Sequence, residues 1–118
     1  MLLVGLDFDG TVIHHKPKFT YDLNYKLFKN CKKVLDRLSK QGVIFILNTS
    51  RTGIRRWLAY LYIKVYKLPI KLNLSCRKPV ADVYIDDKNI GYKRIDWLEI
   101  EKELLKKKEE KCITLKRD

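Results

Sequence analysis

Acidic residues are scarce in this chain. Its 118 residues carry 14 Asp and Glu against 26 Lys and Arg, a formal charge of +12. From Arg37 to Ala81 there is no acid at all, yet ten basic residues occur there. Such a chain repels cationic partners and draws phosphorylated or polyanionic ones. Glycine and proline are also few, at 5 and 3, which excludes a collagen-like or low-complexity chain. Cys31, Cys76 and Cys112 are odd in number and widely spaced, which excludes a zinc pattern and a disulfide-stapled scaffold. His14 and His15 are adjacent, so their side chains diverge and lack metal-ligand spacing. No apolar run approaches the roughly 18–20 residues of a membrane span. The apolar start meets Asp7 too soon for a secretory leader. A glycine-rich phosphate loop of the nucleotide-kinase type is missing. These absences predict a soluble, cytoplasmic protein with reduced thiols and no membrane partner.

What is there is a core. Apolar residues are 46% of the chain, enough for packing and too many for disorder. The length suits one domain, residues 1–118. Periodicity predicts strands over about 2–7, 43–48, 70–74 and 82–86. It predicts helices over about 22–40, 54–66 and 96–109. On the first helix Leu27, Cys31, Val34, Leu35 and Leu38 form one stripe, and Gly42 ends it. On the second, Ile54, Trp57, Leu58, Leu61 and Val65 are expected to face inward. Lys106 to Lys111 reads as a solvated helix end, with residues 112–115 as an added edge strand. Alternating strands and helices predict an α/β fold: a three-layer α/β/α sandwich on a mainly parallel, Rossmann-like sheet. Right-handed crossovers then put the strand tips on one edge.

Three of those tips carry chemistry. Leu2–Leu6 runs into Asp7-Phe8-Asp9-Gly10-Thr11. Val43–Leu47 runs into Asn48-Thr49-Ser50-Arg51. Val83-Tyr84-Ile85 runs into Asp86-Asp87. Carboxylates concentrated at strand ends cost folding energy unless a cation or substrate uses them. The carboxyl edge of an open α/β sheet is where ligands bind. Arg51, Arg55 and Arg56 follow Thr49 closely and make a basic rim.

The set and its order resemble the haloacid dehalogenase superfamily, most of whose members are Mg²⁺-dependent phosphatases. The resemblance spans roughly residues 1–105 and is closest to the small members without a cap domain. It implies Asp7 as nucleophile and Asp9 as general acid–base. It implies Thr49 as a phosphoryl-binding hydroxyl, with Ser50 and Arg51 beside it on the substrate side. A single basic residue is expected to neutralise charge, Lys78 or else Arg77. Asp86 and Asp87 complete a Mg²⁺ site with Asp7 and the backbone carbonyl of Asp9. The chain order of these groups departs from that of receiver domains, whose acid pair comes first and whose Lys comes last. The expected activity is phosphoric monoester hydrolysis through an aspartyl-phosphate, on a small ester or a phosphorylated nucleic-acid end. The competing expectation is a non-catalytic, basic nucleic-acid-binding module on the same scaffold. With no cap the site is open, so a large substrate or a homo-oligomer partner would have to exclude water.

Overall fold

The structure, a computed structural model, describes residues 2–14, 26–73, 78–85 and 96–117, with side chains described up to Lys111. Four strands, β1 (Leu2–Leu6), β2 (Val43–Leu47), β3 (Ile70–Lys71) and β4 (Val83–Ile85), form one parallel sheet in the order β3-β2-β1-β4. Helices α1 (Cys31–Lys40), α2 (Gly53–Val65) and α3 (Trp97–Arg117) complete a small Rossmann-like α/β/α fold. β1 is central, flanked by β2 and β4. Its register aligns Leu6 with Leu47 on one side and with Ile85 on the other, so β1 and its neighbours end level.

The two-residue period of a strand decides where the core sits. Leu2, Val4 and Leu6 of β1 and Val43, Phe45 and Leu47 of β2 are buried on one face. Val34, Leu35 and Leu38 of α1 and Ile100 and Leu104 of α3 join the same core. Cys31 is fully buried there, and burial pushes its thiol up, so it packs as a small apolar residue. On the opposite face Leu3, Ile44 and Ile46 are half-buried. There the Tyr84 ring packs against Gly5, and a Cβ at that position would come within 2.5 Å of a ring carbon, so any larger residue would have to displace the ring.

Several expectations are corrected. α1 begins at Cys31, because Asn30 takes a left-handed φ of 65° that breaks the helix. Leu27 is not on that helix but bridges Ile13 in antiparallel fashion; residues 22–25 lie outside the described residues. β3 is two residues long rather than five. α3 continues through residues 112–115, which are helical and not an edge strand, so the charge run lies within the helix. α2 is turned the other way: Ala59, Tyr60, Tyr62 and Ile63 are buried, while Ile54, Trp57, Leu61 and Val65 are exposed.

Asp82 ties the start of β1 to α3. Its carboxylate accepts from the Leu3 amide at 2.8 Å and from Lys111 Nζ at 2.8 Å. These bonds, the Lys111 one first, hold its pKa below the usual aspartate value. A depressed carboxylate pKa contributes stability at neutral pH that is lost as the pH falls from about 3.9 through the lower folded value. The group is exposed, so the contribution is small, no more than about 1 kcal/mol. Asp82→Asn should lower stability by that amount in urea unfolding at pH 7. The gap between the two proteins should close below about pH 4; a gap unchanged by acid would contradict this.

Candidate active site

Asp7 and Asp9 leave the carboxyl end of β1, with Phe8 between them turned inward. The Asp7 amide donates to the Ile85 carbonyl at 3.0 Å, and the Asn48 amide donates to the Leu6 carbonyl at 2.8 Å. Both neighbouring strands are thereby pinned at the level of Asp7. The Phe8 amide donates to Asp7 Oδ1 at 2.9 Å, which orients that carboxylate. Phe8 itself is fully buried, with its ring edge-on to Tyr62 at 5.9 Å. Gly10 then takes a φ of 77°, which an L side chain rarely adopts. The turn closes with Val12 and Ile13 amides donating to the Phe8 carbonyl. Trp97 Nε1 donates to the Thr11 carbonyl at 2.9 Å, fastening α3 to this loop. The Thr11 hydroxyl is buried and has no hydrogen-bond partner among the described residues.

Arg51 is the residue whose placement most changes the reading. It was expected to face substrate. Instead it turns inward, its side chain only 2% exposed, and grips Asp9 with two bonds. Nε donates to Asp9 Oδ2 at 2.7 Å and Nη2 to Oδ1 at 2.6 Å. Nη1 donates to the Arg55 carbonyl at 3.1 Å, and the guanidinium sits 5.0 Å from the centre of the Phe8 ring. Its own amide donates to Thr49 Oγ1 at 3.1 Å. One residue therefore joins the tips of β1 and β2. A planar fork that never loses its charge suits this better than lysine would. The sequence carries no local signal for this pairing, because the partner carboxylate lies 42 residues away on another strand tip.

The Asp9 carboxylate keeps some freedom. A carboxylate offers about four lone-pair positions, and Arg51 uses two. Asp9 is 21% exposed, so each oxygen can still accept from solvent or substrate.

The other expected residues fall as follows. Thr49 is half-buried beside this pair, and Ser50 is exposed next to it. Lys78 is exposed, and its ammonium lies 4.1 Å from the centre of the Tyr84 ring, a cation–π contact on β4. Arg56 bonds the Tyr60 hydroxyl and the Asn73 carbonyl, tying α2 to the segment after β3. That work is structural and takes Arg56 out of the basic rim. His14 stacks on Phe28 at 4.0 Å. His15, Arg77, Asp86 and Asp87 lie outside the described residues.

The donor chemistry fits Mg²⁺, which takes hard oxygen ligands and keeps several waters. The Asp7 carboxylate and the Asp9 main-chain carbonyl are such donors. The Asp9 carboxylate, committed to Arg51, is not needed as one. Among the described residues no group of three or more His, Cys, Asp and Glu comes together. The remaining acids expected at the site, Asp86 and Asp87, follow Ile85 directly in the chain.

No family model matches the chain, and no curated protein matches it. A solved structure of a conserved protein from Bacteroides thetaiotaomicron is similar, with a TM-score of 0.72 and 24% sequence identity. The likeness covers 90% of this chain and 91% of that one. At this identity it establishes the fold: this chain and that protein share one α/β architecture over nearly their whole lengths.

Proposed function

We propose that this protein is a Mg²⁺-dependent phosphatase acting through Asp7. The observation that supports it best is the carboxyl edge of the sheet. A carboxylate oriented by the following amide lies there with a second one clamped two residues on, and a threonine hydroxyl on the adjoining strand tip. A pure binding module would gain nothing from such a cluster.

In this reading an Asp7 oxygen attacks phosphorus in line as the bond to the leaving oxygen breaks, giving an aspartyl-phosphate. Asp9, which enters this step protonated, gives that proton to the leaving oxygen. It then takes one from the water that attacks the same phosphorus, which frees Asp7 and inorganic phosphate. Arg51 keeps Asp9 at a fixed place through both transfers. Thr49 donates to a phosphoryl oxygen, and Lys78 or Arg77 offsets the charge that spreads over the others. Asp7, the Asp9 carbonyl and the Asp86–Asp87 pair would hold Mg²⁺, which supplies charge neutralisation at the phosphoryl group when bound. The excess of Lys and Arg raises the local concentration of anionic substrate.

The test is hydrolysis of an aryl phosphate with and without Mg²⁺. Activity should require the metal and vanish with a chelator, while the far-ultraviolet circular dichroism stays the same. Hydrolysis that survives exhaustive chelation would sink the metal-dependent reading. The nucleic-acid-binding alternative rests on the +12 charge. It would be favoured by salt-sensitive oligonucleotide binding in a protein that hydrolyses no phosphate monoester.

A further inference from the structure

We propose that the outer face of α2 pairs with the same face of a second copy of this chain. A helix apolar on every side is normally buried on every side. α2 buries Ala59, Tyr60, Tyr62 and Ile63 against its own sheet, yet Ile54 is 66% exposed, Trp57 67%, Leu61 47% and Val65 57%. These four lie along one stripe, with half-buried Leu58 at its edge. Ile54, Leu58, Leu61 and Val65 follow the alternating four- and three-residue spacing of a helix-pairing seam. Among the described residues of α2, Lys64 is the only charged one on that face.

The stripe is complementary to itself in one orientation. A two-fold axis through the middle of α2, with the helices antiparallel, sets Ile54 against the second copy's Val65 and Leu58 against its Leu61. On the same flank it sets Lys64 against the second copy's Trp57, a cation–aromatic pair made twice by the symmetry. Interaxial separations of roughly 8–10 Å bring such side chains into contact. The exposed apolar area of the stripe is on the order of 400 Å². At roughly 60% apolar that is the core of an interface of about 650 Å² per copy, within the standard range. Other occupants fit less well. An anionic lipid surface or an acidic segment would answer the basic excess of the whole chain, but the face itself carries one lysine among five apolar residues. The pairing stands independently of the proposed catalysis, since none of these side chains belongs to the site.

Sedimentation of the whole chain from about 1 to 200 µM tests it, over which a micromolar dimer would form. The weight-average mass should rise from monomer to dimer. Raising salt should tighten the dimer, because it screens the repulsion between two +12 chains. Trp57 emission should shift to the blue over the same range, while Trp97, 1% exposed, stays constant. Leu61→Lys and Ile54→Lys, both at exposed positions, should keep the far-ultraviolet circular dichroism of the folded chain and leave a monomer with a red-shifted Trp57. A wild-type protein monomeric throughout, or a dimer unaffected by either lysine, would overturn the pairing. So would a monomer whose Trp57 shifts only on adding anionic vesicles or an acidic peptide, with an effect that salt abolishes.

Discussion

Asp7→Asn should leave a folded protein that hydrolyses phosphate monoesters on the order of 10³-fold more slowly, or worse. The amide cannot act as the carboxylate nucleophile, so no aspartyl-phosphate forms. The fold should not notice. Asn keeps a carbonyl oxygen where Asp7 Oδ1 accepts from the Phe8 amide, and the strand bond from Asp7 to Ile85 is main chain. Removing one carboxylate from a crowded edge also relieves repulsion, so the melting temperature should hold or rise slightly. Circular dichroism and an aryl phosphate assay on one preparation read both halves. Parental turnover in the variant would end the assignment of Asp7.

The second large effect is an asymmetry across the Asp9–Arg51 pair. Asp9→Ala takes the carboxylate from a guanidinium that is 2% exposed, and breaking a buried pair from that side costs about 3–5 kcal/mol. Set against a total of about 5–15 kcal/mol, the loss is severe. Arg51→Gln leaves a carboxylate that is 21% exposed and can turn to water, so its stability cost should be roughly 1–3 kcal/mol. Its kinetic cost should be the larger sign. With Asp9 no longer held, kcat should fall on the order of 10²-fold while KM changes little. A rise in KM at unchanged kcat would instead make Arg51 a substrate ligand, the role its place after Thr49 suggests in the sequence. Urea unfolding and steady-state kinetics on the two variants separate these outcomes.

Much of this fold was legible because its signals are local. Five apolar residues before Asp7 and five before Asn48 can only be buried strands, and parallel pairing then brings their tips to one edge. What was not legible depends on packing between distant segments. α2 is apolar on two faces, so periodicity alone could not choose between them. The choice goes to the tyrosines, because Tyr60 buries its ring and still bonds the Asn73 carbonyl. The start of α1 was missed because Leu27 continues the helical stripe but is taken by Ile13. Lys78 was expected to neutralise charge at the site, and only the fold reveals the Tyr84 ring beneath it. Arg51 was read from its sequence neighbours, whereas its partner lies 42 residues away.

The central claim is that Asp7 carries the phosphoryl group. Borohydride reduces an acyl phosphate to the alcohol, which at an aspartyl-phosphate leaves homoserine. The protein is mixed with Mg²⁺ and an aryl phosphate, quenched during turnover, reduced, digested and read by peptide mass spectrometry. The account predicts homoserine at position 7 that depends on substrate. Turnover with position 7 unmodified, or homoserine formed at position 9 instead, would contradict it.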